Sequence, residues 1–177
     1  MSNGPNRYRS LPEGRNATKQ GQTVQPDFAG SPLNFWAPHT GNYWLSNFFD
    51  AEVKYGDDVY PTSEHLYQAL KCMSERDRLK IREAATPKKA KELGRKLGRN
   101  LNIPSKAYIM RVAIRAKFEQ HDLLRAKLIS SEGRIVEASP FDYLWGEGPR
   151  KCGLNLMGLL LSELREDFKA NQEITGQ

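Results

Sequence analysis

Hydrophobic and polar positions divide the chain into stretches of different texture. Residues 1–30 are rich in Asn, Gly, Gln and Pro and show no apolar periodicity. So little apolar surface does not repay the entropy of ordering, and this stretch is expected to be a flexible tail. From Leu33 onward Phe35, Trp36, Tyr43, Trp44, Phe48 and Phe49 crowd together, punctuated by Pro38, Gly41 and Asn47. That pattern predicts short strands and turns around an aromatic cluster. Residues 51–55 and 58–60 read as a hairpin that turns near Gly56-Asp57.

The remainder has mainly helical periodicity. Thr62 or Ser63 can cap a helix running to about residue 73, with Glu64 well placed in its first turn. A second helix is expected over 75–84. Thr86-Pro87, a cap followed by proline at the first helical position, opens a third that ends near Gly94 or Gly98. Pro104 starts a fourth that runs to about Glu119, and a shorter one follows His121. Residues 134–138 read as a strand and 139–153 as a loop. A final helix is expected to about Phe168, leaving 171–177 as a C-terminal tail. The pattern holds no internal repeat, so one domain over 31–170 is expected.

Composition agrees with a globular chain: 177 residues, 38% hydrophobic and 27% charged. No apolar run approaches the roughly 18–20 residues that span a bilayer. The longest, 154–161, is broken by Asn155 and Gly158. The N-terminus shows no apolar signal-peptide core, so a cytoplasmic protein is expected, with a nuclear one also open and secretion not expected. Cys72 and Cys152 suit a reducing compartment. The net charge of +6 favours encounter with phosphate-bearing partners, or else reflects a surface that is simply basic.

The segment 61–71 is the most informative for chemistry. On a helix Glu64, Gln68 and Lys71 fall at i, i+4 and i+7 and share a face, while Leu66, Leu70 and Met73 line the opposite one. The polar stripe either faces water or lines a cleft. In a cleft, the carboxylate and amine could divide acid–base and nucleophilic work. His65 points about 100° away around the helix and reads as a packing or binding histidine, and His39 and His121 as surface residues. The histidines and cysteines lack metal-ligand spacing, so no metal is expected. No Walker loop, dinucleotide fingerprint or nucleophile elbow is present, and no cofactor is implied.

Asp142, Trp145, Gly146 and Gly148 form a second constellation. Paired glycines let backbone approach a ligand while the indole offers a stacking face, or Trp145 plugs the core from a glycine-rich turn. Gly153, Asn155 and Gly158 open the last helix. They fit either a phosphate site at a helix N-terminus or close packing over small residues.

Taken in order, the chain resembles the NADAR family. The matching pieces are Leu45-Ser46-Asn47-Phe48, Pro61-Thr62-Ser63-Glu64-His65, Tyr67-Gln68 with Lys71, and Leu93-Gly94-Arg95. Met110, Ala116-Lys117-Phe118, Glu137-Ala138-Ser139-Pro140 with Asp142, and Trp145-Gly146-Glu147-Gly148 follow. Gly153, Asn155, Gly158 and Glu163-Leu164-Arg165 complete the series.

The resemblance implies a single compact, predominantly helical α+β domain with a few short strands, a polar nucleotide-binding cleft and N-glycoside hydrolysis. One branch of the family resembles enzymes acting on phosphorylated intermediates of riboflavin biosynthesis. Another removes ADP-ribose from the amino group of guanine in nucleic acid. For the first branch the resemblance implicates Glu64, an acidic residue around Asp142, and a tryptophan eight residues before Met110. Here that residue is Asn102. A missing stacking ring costs roughly 1–3 kcal/mol where such contacts have been measured. Tyr108 is the nearest substitute. This departure and the charge of +6 tilt the expected partner toward ADP-ribosylated guanine in DNA or RNA rather than a small nucleotide.

The expected site has Glu64 as acid–base, with Lys71 stabilising charge or attacking an opened ribose as a Schiff-base amine. Asp142 orients a ribose hydroxyl or pairs with Glu64 in direct hydrolysis. Asn47, Phe48, His65, Gln68, Arg95, Trp145, Gly146, Gly153, Asn155 and Gly158 surround the substrate, with its pyrophosphate near the 153–158 helix start and Arg95. A module that binds ADP-ribose without cleaving it is the rival reading, and the presence of both Glu64 and Lys71 favours catalysis.

Overall fold

A computed structural model describes residues 30–175. Of the flexible tail expected over 1–30, residues 1–29 lie outside them. The chain runs β1 (Leu33–Phe35), a single 3₁₀ turn (Tyr43–Leu45), β2 (Val53–Tyr55), β3 (Asp58–Tyr60), α1 (Ser63–Ala69), α2 (Glu75–Arg82) and α3 (Pro87–Leu97). It continues through α4 (Ile103–Gln120), α5 (Asp122–Ser130), β4 (Ile135–Glu137) and α6 (Leu156–Thr175). The fold is α+β, predominantly helical, with a few short strands. No described helix is long and apolar enough to cross a membrane.

Helix starts follow local capping chemistry. The side-chain oxygens of Thr62, Ser74, Thr86 and Asn102 accept from the backbone amides of His65, Asp77, Lys89 and Ser105. Pro87 stands at the start of α3, where its missing N–H costs nothing. The hairpin β2–β3 pairs Val53 with Tyr60, and its turn uses Gly56 at φ +61°, a conformation that glycine reaches without strain. Asn102 is thus a helix cap, and Tyr108, 66% exposed on α4, does not line the cleft described below.

Two departures from the sequence pattern shape the site. Strand β1 pairs in parallel with β4, matching Leu33 to Ile135 and Phe35 to Glu137. Helix α1 is shorter than expected and buried on every side, wrapped by α2, α3, α4 and the hairpin. It therefore has no solvated stripe. Leu66 is fully buried, but Met73 lies beyond the helix and is 71% exposed, not part of a core face. At the other end of the chain, α6 runs to Thr175, past Phe168 and into the segment expected to be a tail.

The core gathers Phe35, Leu66, Ile81, Ile114, Phe118, Leu128, Ile135 and Leu161. Lys117 of α4 is buried among them and pairs with no carboxylate among the described residues. Its ammonium donates to the carbonyls of Trp44 (2.7 Å) and Ser46 (2.9 Å) and lies over the rings of Phe49 and Phe118. This holds the segment leading into Asn47 and Phe48 against the helical layer.

Candidate active site

A narrow cleft opens where α1, α3, the end of β4 and the 142–145 loop meet. Its lining includes Asn47, Phe48, Glu64, Gln68, Lys91, Glu137, Asp142 and Trp145, together with Tyr67 and Met157. Among the residues singled out from sequence, Asn47, Phe48, Glu64, Gln68, Asp142 and Trp145 come together here.

Glu64 is 4% exposed, on a helix that supplies its own support one turn on. Gln68 Nε2 donates to Glu64 Oε1 at 2.6 Å, and the Asn47 amide lies within hydrogen-bonding reach of the same carboxyl. The Asn47 carbonyl in turn accepts from the Glu64 backbone amide at 3.1 Å, pinning the two segments. Burial pushes the Glu64 carboxyl above its ordinary value, opposed by Lys91, the two amides and Lys71.

Asp142 faces Glu64's helix from the loop. Its Oδ1 accepts from the backbone amides of Leu144 (3.1 Å) and Trp145 (2.9 Å), which fixes the side chain. Its Oδ2 is 4.0 Å from the ammonium of Lys91. Trp145 meets Tyr67 edge to face, with ring centroids 5.6 Å apart. Burial, then Glu64 and Asp142, raises the Tyr67 phenol above its ordinary value, so that it stays protonated as a donor.

Sequence reasoning singled out neither Lys91 nor Glu137 as site residues. Lys91 stands one helical turn before Arg95 on α3, and that spacing was the available signal. Glu137 lines the cleft from the last position of β4, and only the β1–β4 pairing brings it there. Burial raises its carboxyl to about 7, with Asp142 adding to the rise and Lys91 opposing it.

Other expected residues lie outside the lining. Lys71 sits in the turn after α1, not on its face, with its ammonium 5.4 Å from the Tyr67 ring centroid. Burial lowers its pKa, opposed by Glu64, and the cations of Lys106 and Arg95 nearby lower it further. His65 serves the scaffold: Nε2 donates to the Ala84 carbonyl at 3.0 Å, which requires Nδ1 to be the acceptor toward Thr62 Oγ1 at 2.8 Å. Burial lowers its pKa, opposed by the hydrogen bond to the Ala84 carbonyl.

The helix start at 153–158 is occupied by the protein itself. The amides of Asn155, Leu156 and Met157 donate to the carbonyls of Gly146, Leu144 and Trp145, so they do not face a phosphate. The Asn155 side chain donates to the Ile135 carbonyl and accepts from the Glu137 amide, each at 2.9 Å. A Cβ on Gly158 would lie 2.1 Å from the Ile135 carbonyl, and one on Gly153 2.3 Å from that of Gly146. A Cβ on Gly146 would lie 2.6 Å from the Glu137 carbonyl. These four residues brace the loop and β4 rather than line the cleft. Among the described residues, no group of three His, Cys, Asp or Glu side chains is placed to hold a metal.

A buried, amide-supported glutamate thus faces an acidic loop across the cleft. Residues 34–169 match the NADAR domain, and the chain belongs to that family. It is 38% identical over 151 residues to the N-glycosidase YbiA of Escherichia coli, covering 83% of this chain and 94% of YbiA. The NMR structure of E. coli YbiA superimposes with a TM-score of 0.73 at 36% identity, covering 85% of this chain and 92% of that one. An N-glycosidase of Nostoc punctiforme is 36% identical over 80% of this chain and 93% of its own. A chloroplastic riboflavin biosynthesis protein of Zea mays is 35% identical over 70% of this chain but only 23% of its own.

Proposed function

We propose that this protein is an N-glycoside hydrolase that releases ADP-ribose from the amino group of guanine in modified nucleic acid. The observation that carries the reading is Glu64: a buried carboxyl that opens on the cleft, held by Gln68 and facing the fixed carboxylate of Asp142 across Lys91. A carboxyl in that setting can accept a proton from water as an N-glycosidic bond breaks, and the oxocarbenium-like charge that develops on the ribose is stabilised by a neighbouring carboxylate. The relatives named N-glycosidases support the bond type.

The phosphates of the substrate belong with the cations around Lys71 rather than with the start of α6. Arg95 and Lys106 lie near enough to Lys71 to lower its pKa, and none of the three forms a direct ion pair among the described residues. Like charges gathered together favour an anionic ligand. The Asn102 cap in place of a tryptophan and the charge of +6 support a nucleic-acid substrate over a free pyrimidine intermediate.

The riboflavin biosynthesis name of the Zea mays relative supports a second reading, hydrolysis of phosphorylated riboflavin intermediates. An assay of sugar release from an oligonucleotide carrying guanine-linked ADP-ribose, run beside the phosphorylated intermediates, separates the two. Turnover of the oligonucleotide is expected, and turnover of the small intermediates alone would overturn the preferred substrate. The lowered pKa of Lys71 keeps an imine route in view. Borohydride trapping during turnover tests it, and an adduct on Lys71 would replace direct hydrolysis.

A further inference from the structure

The cleft holds three carboxyl groups, and their partners differ. Glu64 receives the Gln68 amide, and Asp142 receives two backbone amides and faces Lys91. At Glu64 these donors work against burial, which pushes the carboxyl above its ordinary value. Glu137 is different. Its backbone is fixed at both ends, the amide donating to Asn155 Oδ1 and the carbonyl accepting from the Glu147 amide. Its carboxyl lines the cleft and takes part in no hydrogen bond or ion pair among the described residues.

We propose that Glu137 is the general acid of this site, supplying the proton that leaves with the departing amine while Glu64 takes the proton of the attacking water. This rests on the N-glycosidase reading above and adds a residue and a division of labour to it. The water oxygen bonds to the anomeric carbon as the C–N bond breaks. The electron pair of that bond goes to the nitrogen, which gains the Glu137 proton. Glu64 takes the proton released by water. The products are the free amine and the hydroxylated sugar, with Glu137 ionised and Glu64 protonated. Proton exchange with solvent restores both.

The surroundings make that assignment rather than its reverse. Glu64, Asp142 and Lys91 are the charged groups that face Glu137, with the Tyr67 phenol beside them. Two carboxyls against one ammonium favour holding a proton on the third carboxyl, and the group without donors is the one that keeps it. Its raised value near 7 agrees, since an acid works best when its pKa lies near the working pH.

The test compares wild type, Glu137→Gln and Glu137→Asp on the oligonucleotide carrying guanine-linked ADP-ribose and, in parallel, on the phosphorylated riboflavin intermediates. ADP-ribose affinity is measured by calorimetry and folding by thermal melts. Wild-type kcat should fall as pH rises through about 7. Glu137→Gln should lose roughly 10²–10⁴-fold in kcat along with that alkaline limb, while ADP-ribose binding changes little. Glu137→Asp should recover part of the rate and restore the limb. A folded Glu137→Gln with wild-type kcat, or with the limb intact, would overturn the assignment alone. A wild type inactive on both substrates would overturn the N-glycosidase reading and the assignment with it.

Discussion

Gly94 of α3 lies directly against Gln68 of α1: a Cβ on Gly94 would fall 2.0 Å from Gln68 Oε1 and 2.7 Å from Gln68 Cβ. The missing side chain lets α3 close over α1 and turns the amide of Gln68 toward Glu64. Alanine gains about 1 kcal/mol of helix propensity over glycine. The contact with Gln68 Cβ, which cannot swing away, costs more, roughly 1–3 kcal/mol. Gly94→Ala should therefore lower the unfolding midpoint and reduce kcat even where the protein is folded. Denaturant titration and activity measured together check this. A folded Gly94→Ala with wild-type kcat would break the link between helix packing and the Glu64 carboxyl.

Asn155 holds β4 from a backbone conformation at φ +48° that asparagine tolerates better than most residues. Asn155→Ala leaves the Ile135 carbonyl and the Glu137 amide without their side-chain partner, at roughly 1–3 kcal/mol for each buried group. Urea unfolding should show the loss, and titration with ADP-ribose should show weak sensitivity of affinity in the surviving folded fraction. A collapse of affinity at unchanged stability would return Asn155 to the ligand.

Stability should respond to pH through two buried groups in separate windows. The folded-state pKa of Glu137 is raised to about 7, so the native state holds its proton more tightly than the unfolded chain does. The stability it contributes is present at acid pH and is lost as pH rises toward 7. Lys117 is lowered to about 7 by burial, so the unfolded chain binds its proton more tightly. Its contribution is flat below that value and increases stability from about 7 toward the ordinary lysine range, by at most about 1.4 kcal/mol per pH unit. Melts across pH should lose the lower slope in Glu137→Gln and the upper one in Lys117→Met. Unchanged slopes in both variants would contradict these protonation states.

The cations around Lys71 give a prediction on affinity. Arg95→Ala combined with Lys106→Ala should weaken ADP-ribose binding about tenfold at moderate salt and flatten its salt dependence, with a smaller effect on kcat. Binding that keeps its strength and salt slope would move the phosphates elsewhere.

Much of the framework was legible locally. Thr86-Pro87 marks the start of α3, the residues around Gly56-Asp57 mark the hairpin, and Glu64 with Gln68 one turn later marks the chemical face of α1. What was hidden depends on distant partners. Periodicity assumes that a helix has a wet side, and α1 has none, so it puts Lys71 and Met73 on faces of a helix that ends before them. The pairing of Phe35 with Glu137 joins segments far apart in the chain, and nothing near Glu137 announces it. Gly153, Asn155 and Gly158 suit a phosphate site and a tight helix–strand contact equally well in sequence. The backbone amides of 155–157, already bonded to the preceding loop, decide for the contact.

The most direct measurement is the rate of sugar release by wild type and Glu64→Gln, with ADP-ribose affinity recorded for both. Glutamine keeps the shape of residue 64 but cannot take the proton of water. The account predicts a loss of roughly 10²–10⁴-fold in kcat with affinity nearly unchanged. A Glu64→Gln protein that binds ADP-ribose and turns over substrate at the wild-type rate would contradict it.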